Sequence, residues 1–373
     1  MKIEAFLVEE WMNLYENYAV YNIAETCVSS ISLNELFRLT KKDSNSFIEL
    51  IMNRRLTYGA IDGSEEYKNG ICGRYKTIRP EHVISTHGAA GANHLVMYSL
   101  VEQGDKVISV YPTYQQLYSI PESFGAEVQL LKLKRENKYL PDLEELRRLA
   151  TPETKLIAIN NPNNPTGALI PNEMLMEIVE IAKSVDAYLL CDEVYRGLNQ
   201  EDYYSESVAD LYDKGISVSS MSKVFSLAGL RLGWVVTKDE SVIKACLSHR
   251  DYNMISCGMI DEMIAACALE GAPALLERSI GIVKENLRIL DEWVQKDMHY
   301  SYEKPHAGTT CLVYYDFDIQ SVLFCKRLFE ETGVFVTPGD CFGQEKCFRI
   351  GYASDNQVLR DALSKLSDFA MNI

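Results

Sequence analysis

An α/β fold is predicted, with a mainly parallel sheet covered by helices on both faces and a smaller α+β region after it. Three observations carry this. From Val83 onward, short apolar runs alternate with amphipathic stretches, and the turns between them are rich in Gly, Pro and Asn. Strand-then-helix repetition of this kind calls for parallel pairing with both sheet faces buried. After Trp234 the pattern changes: residues 241–296 read as almost wholly helical, and strand-like segments return only near Thr310. Finally, 373 residues with 47% hydrophobic content exceed the roughly 250–300 residues at which single cores stop growing, so two domains are expected.

Taken in order, Val8, Trp11, Met12 and Tyr15 fall at helical spacing and open the chain with a short amphipathic helix, followed by an irregular stretch, NIAETCVSSIS. Phe47–Asn53 reads as a second helix. Gly63 followed by Glu65 and Glu66 marks a loop entering a helix through an acidic first turn. Residues 83–86 form a strand that runs into Gly88, Ala89, Ala90 and Gly91, small residues opening a helix whose first amides could hold an anion or simply pack closely. Strands follow at Lys106–Tyr111, Glu127–Leu133, Lys155–Asn160, Tyr188–Cys191 and Ile216–Ser220, with helices at Asp142–Leu149 and Glu173–Lys183. Residues 241–296 suggest a long connecting helix. The remainder mixes strands (Thr310–Tyr315, Val334–Thr337, Cys347–Gly351) with helices at Ile319–Glu331 and Gln357–Met371. We expect a large domain over residues 40–270 and a small one built from residues 1–39 and 271–373.

Composition excludes several functions. Thirty-seven basic residues against 53 acidic ones give a net charge of −16, which repels phosphate backbones and anionic membrane surfaces, so no nucleic-acid partner is expected. The ten cysteines are scattered without a CxxC pair, which indicates reduced thiols rather than a metal site or a disulfide framework. No basic-then-apolar leader opens the sequence and no run approaches the roughly 20 apolar residues of a membrane helix. A cytoplasmic protein is the expectation.

Three motifs carry chemistry, and each lies just after a strand, where ligands of parallel sheets bind. In SMSKVFSLAGLRLGW, Lys223 sits between small polar residues and Arg231 follows between Gly229 and Gly233. An amine and a guanidinium so placed suit a ligand with an aldehyde and a phosphate, which is pyridoxal 5′-phosphate (PLP); a surface lysine and a loop ion pair are the ordinary alternative. In NNPNNPTG, residues 160–167, two prolines and Gly167 make a rigid turn that aims the Asn164 amide in one direction. In CDEVY, residues 191–195, Asp192 ends a buried strand, where a carboxylate is costly without a cationic partner such as a pyridinium nitrogen; capping of the next turn is the ordinary alternative. Tyr195 could reach the ring's phenolic oxygen beside Asn164.

With these motifs in this order, the chain resembles the fold-type I PLP-dependent aminotransferases of class I/II, the aspartate aminotransferase-like superfamily, over nearly its whole length. The resemblance implies the PLP-transferase fold, with a seven-stranded, mainly parallel sheet in the large domain. It implies a Schiff base between Lys223 and PLP, with the same lysine as acid and base. The phosphate would be held by Ser220, Arg231 and the amides of Ala89 and Ala90, and Tyr114 of the PTY turn would stack on the ring. Arg349 of CFRIGY would clamp the α-carboxylate, beside Asn164, and Tyr58 of YGAIDG would reach across a homodimer to the partner's phosphate. The implied reaction is ping-pong transfer of an amino group between an L-amino acid and a 2-oxo acid, with Lys223, Asp192 and Tyr195 as its catalytic residues.

The stretch NIAETCVSS lacks the Gly-Glu-Pro segment that many relatives carry beside the substrate. The acidic EEW opening and YNIAE are similar to capreomycidine synthase-like members, which act on arginine derivatives without net transamination. Carbon–sulfur β-lyases share the same PLP residues, so elimination or cyclisation is the alternative outcome. A non-catalytic PLP-binding regulator is the remaining one, but such proteins usually carry a DNA-binding domain ahead of this fold. No motif marks an aspartate-specific second arginine, and the side-chain specificity is not legible.

Overall fold

The computed structural model describes residues 2–373. Its strands, in chain order, are β1 (Tyr21–Asn22), β2 (Val83–Thr86), β3 (Lys106–Tyr111), β4 (Glu127–Lys132), β5 (Thr154–Asn160), β6 (Tyr188–Asp192), β7 (Gly215–Ser220), β8 (Gly233–Thr237), β9 (Tyr300–Tyr302), β10 (Thr310–Tyr315), β11 (Val334–Phe335), β12 (Thr337–Pro338) and β13 (Cys347–Gly351). Seven of them form one sheet in the order β2-β8-β7-β6-β5-β3-β4, and all its pairings are parallel except those of β8, which runs antiparallel to both neighbours. A separate antiparallel sheet has the order β12-β13-β10-β9, and β1 pairs with β11 in parallel.

Both faces of the large sheet are covered, which explains its unbroken apolar strands. On one face Ile84, Val107, Leu156, Leu190 and Val235 pack with Leu95 and Val96 of helix Gly88–Leu100 and Val242 of helix Glu240–Arg250. On the other, Val83, Ile108, Ile157, Leu189 and Val236 meet Leu175, Ile178 and Val179 of helix Asn172–Ser184. The N-terminal helix, Leu7–Tyr15, docks at the far end of the chain's fold: Trp11 Nε1 donates to the Val336 carbonyl at 2.9 Å, and its ring stacks at 6.3 Å on Phe335.

Two differences from the sequence reading are informative. The expected long connecting helix is three helices, Glu240–Arg250, Met259–Glu270 and Ala272–Lys296. The chain breaks at residues 251–258, and Gly271 with Pro273 restarts the last helix, because Pro is accepted only in a first turn. Helix Leu33–Thr40 was not expected, although Ser32 and Glu35 form a full capping box at its start. Among the described residues, no helix is long and apolar enough to cross a membrane.

The NNPNNPTG turn owes its shape to Gly167, with φ of +70°, where a Cβ would stand 2.3 Å from Pro305 Cβ and 2.5 Å from the Thr310 carbonyl oxygen. Gly104 has a similar φ of +86° and open space around it. Gly167→Ala is therefore expected to lower the denaturant midpoint clearly more than Gly104→Ala, which carries only the backbone strain of about 1 kcal/mol. Equal midpoints in urea unfolding would contradict this.

Candidate active site

Strand register brings four carboxyl ends to one level. Asn160 pairs with Asp192, Asp192 with Val218, and both Thr86 and Ser220 lie opposite Gly233. Beyond these ends lies a cavity of about 270 Å³. The structure brings together around it Ala89, Ala90, Tyr114, Asn164, Asp192, Tyr195, Ser220, Lys223, Arg231 and Arg349. Tyr58 is elsewhere: it is 74% exposed and borders a separate surface depression with Lys42, Arg54 and Arg55.

At one end the cavity is built for an anion. Helix Gly88–Leu100 begins there, so the N–H groups of its first turn have no helical acceptors. Gly88 has φ of +70°, and a Cβ on it would come within 3.1 Å of Arg231 Nη2; a Cβ on Gly233 would stand 2.7 Å from the Ala89 nitrogen. These glycines let guanidinium and helix start converge. Arg231 is itself left-handed, with φ of 54°, and is steadied by donating from Nη1 to the Ala228 carbonyl at 2.9 Å. The Ser220 hydroxyl stands beside it, accepting from the Ser222 N–H at 3.3 Å.

Deeper in, Asp192 accepts hydrogen bonds only from neutral donors, Asn93 Nδ2 at 2.7 Å and the Val194 N–H at 3.2 Å. Burial pushes its carboxyl up to about 6. The Tyr195 hydroxyl is fully buried and without a partner. Lys223 Nζ donates to Thr26 Oγ1 at 2.6 Å and approaches Cys27 Sγ at 3.6 Å. Burial opposes the ammonium charge, but Cys27, Tyr195, Glu25 and Tyr114 around it outweigh that and raise its pKa above the usual lysine value. Burial pushes the Cys27 thiol up to about 11, against the pull of Lys223. The Tyr114 hydroxyl donates to Glu9 Oε1 at 3.2 Å, and burial raises its pKa.

Arg349 lies on β13 and is only 3% exposed. Nη1 donates to Asn164 Oδ1 at 3.1 Å, Nη2 to the Ala24 carbonyl and to Thr337 Oγ1, both at 3.2 Å, and Nε has no partner. Burial lowers its pKa against the pull of Tyr195, Cys341, Glu25 and Glu9, none of which hydrogen-bonds to it. Anion cradle, lone carboxylate, unpartnered phenol and half-buried amine together fit the phosphate, ring nitrogen, phenolic oxygen and aldehyde of PLP. The guanidinium left over fits a carboxylate.

The sequence reading missed one wall. Glu9, Met12, Glu16, Glu25, Thr26 and Cys27 all line the cavity, from the segment read only as a helix and an irregular stretch. Asn93 was missed as well, although it lies four residues after Ala89 and so on the same helix face.

Fold and site together define a PLP-dependent enzyme of fold type I. Residues 31–366 match the family described as aminotransferase class I and II, and the chain belongs to that family. It is similar to a PLP-dependent aminotransferase of Streptococcus suis, 45% identical, with a TM-score of 0.97 over 100% of this chain and 99% of that one. It is similar also to a capreomycidine synthase of Streptomyces vinaceus, 30% identical over 82% of this chain and 79% of that protein. An aspartate aminotransferase of Thermotoga maritima is 27% identical over 86% of this chain and 85% of its own length.

The raised carboxyl of Asp192 has a definite sign in stability. A carboxyl at about 6 when folded, against roughly 3.9 when unfolded, costs stability as pH rises through that window, and the cost is complete above it. In the cofactor-free protein, Asp192→Asn should therefore gain on the order of 3 kcal/mol over the wild type at pH 8 and little at pH 4. Urea unfolding of both proteins across this range is the check, and a pH-independent difference is the contrary result.

Proposed function

We propose that this chain is an aminotransferase that moves an amino group between an L-amino acid and a 2-oxo acid in two half-reactions at one site. One observation carries the reading: the cavity gathers a half-buried amine, a buried carboxylate and a buried guanidinium, Lys223, Asp192 and Arg349, none paired with another. Bound PLP supplies an electron-withdrawing ring that stabilises negative charge on the substrate Cα. Asp192 would hold the ring nitrogen and keep it protonated. Tyr195 Oη and Asn164 hold the phenolic oxygen. Ser220, Arg231 and the N–H groups of Ala89 and Ala90 bind the phosphate, and Tyr114 covers the ring face.

Lys223 is the covalent anchor and the proton carrier. With the cofactor bound, its Nζ would take up and give back the proton of the substrate Cα, and Thr26 Oγ1 fixes where that nitrogen stands. Arg349 clamps the α-carboxylate through its planar fork. Tyr58 reaches the phosphate of a second copy, so the working unit is a homodimer. The domains divide near residues 40 and 270. We place the enzyme in the cytoplasm, in keeping with ten unpaired thiols, of which all but Cys72 are buried.

A second reading, in which the same proton removal leads to loss of a Cβ substituent or to cyclisation, is favoured by the similarity to capreomycidine synthase. Titration with a panel of L-amino acids distinguishes the two. The visible band of the holoenzyme should disappear with the donor and return with a 2-oxo acid, each half-reaction giving one equivalent of product. Release of ammonia or of a ring-closed product, with no need for a 2-oxo acid, would replace the first reading with the second. Lys223→Ala should abolish the visible band and lower kcat at least about a hundredfold. Arg349→Lys should raise KM about tenfold by removing one arm of the fork.

A further inference from the structure

The proposed function leaves part of the cavity without a task. Lys223, Arg231 and Arg349 are matched by aldehyde, phosphate and α-carboxylate. On the N-terminal wall stand three carboxylates, Glu9, Glu16 and Glu25, with Met12 beside them. They are close enough for Glu9 and Glu25 to act on the charge of Arg349, and for both to act on Glu16.

Each carboxylate accepts only from neutral donors. Glu9 takes the Tyr114 hydroxyl at 3.2 Å, Glu25 takes the N–H groups of Thr26 at 2.8 Å and Cys27 at 2.9 Å, and Glu16 takes the Asn22 amide at a long 3.4 Å. Glu25 is thus committed to shaping its own loop. Glu16 is the least committed of the three, and burial followed by the neighbouring Glu25 raises its pKa.

Independent of these acids, the same cavity holds two buried polar atoms without partners, Arg349 Nε and Tyr195 Oη, on side chains 3% and 1% exposed. They mark it as a ligand site. Arg349 also donates to the carbonyl of Ala24, next to Glu25. An amino acid held by its α-carboxylate at Arg349 therefore lies against the segment that bears the acids. Lys223 offsets part of the charge on Glu16 and Glu25; a cationic side chain there adds to that offset and also faces Glu9, whereas an acidic one adds a fourth negative charge.

We propose that the site accepts an amino acid whose side chain ends in a guanidinium or ammonium group, and that Glu9, Glu16 and Glu25 form its side-chain subsite, with Glu16 determining specificity. This rests on Arg349 as the α-carboxylate clamp. Calorimetric titration of the holoenzyme with L-arginine, L-ornithine, L-citrulline and L-glutamate provides the test, citrulline being the uncharged near-isostere of arginine. Arginine or ornithine should bind at least about tenfold more tightly than citrulline, the gain expected of one charge-assisted hydrogen bond. Glutamate should bind most weakly. Glu16→Gln, chosen because Glu16 has only the long bond from Asn22 to lose, should bring arginine and citrulline within about twofold.

Equal affinity for arginine and citrulline, tightest binding of glutamate, or an arginine preference untouched by Glu16→Gln would each overturn the proposal. The visible band decides the aminotransferase reading separately. If no amino acid alters it, that reading fails while the calorimetric order still decides the subsite.

Discussion

The Val28 N–H donates to the carbonyl of Lys223 at 3.2 Å, and on this contact the shape of the site depends. It fastens a strap, residues 22–31, to the loop bearing the proposed proton carrier. The strap is fastened to β13 as well, where the Gly351 N–H donates to the Ile23 carbonyl at 2.8 Å, and the Ser29 N–H reaches the Ala353 carbonyl at 2.8 Å. Gly351 permits this approach, since a Cβ there would fall 1.8 Å from the Glu25 carbonyl oxygen. One irregular segment thus sets the separation of Lys223 and Arg349, the two groups proposed to meet the same substrate molecule.

Electrostatic contrast between neighbours separates supporting acids from working ones. Glu193 and Asp192 are adjacent and equally buried. Glu193 is fully satisfied: it accepts from Ser207 Oγ, Ser217 Oγ and the Val208 N–H and pairs with Arg196 at 3.1 Å. Arg196 in turn stacks on Tyr75 at 4.5 Å. Asp192, one residue earlier, has only neutral donors. A buried charge left without a cation is costly, and a fold keeps one only where something else supplies the counter-charge. The same reasoning applies with opposite sign to Arg349.

Much of the fold was legible because its strands are bounded apolar runs. Lys106–Tyr111 and Cys347–Gly351 match β3 and β13 residue for residue. β8 was not read as a strand: Gly233–Thr237 follows directly on the Arg231 motif, and its antiparallel pairing breaks the alternation with helices on which the reading relied. In residues 241–296 helical periodicity continues across each break, so the turn at 251–258 was hidden. The strap left no pattern at all. Its hydrogen bonds run to Lys223, Ala353, Phe335 and Gly351, partners remote in sequence, so no local period is imposed on it.

This division explains why the cofactor was easier to read than the substrate. Asn164, Asp192, Ser220 and Lys223 each end or closely follow a parallel strand of the large sheet, so strand, turn and candidate residue lie within a few positions of one another and form a recognisable string. The wall opposite is assembled from Glu9, Glu16 and Glu25 on one side and Arg349 on the other, more than 300 residues apart. Tertiary contacts alone make them neighbours. The helix bearing Glu9 docks through Trp11 on Val336 and Phe335 and touches the large domain through Tyr114, whose hydroxyl Glu9 accepts, so substitutions at the turn bearing Glu16 are the ones that leave the strand ends at Asp192 and Ser220 in place.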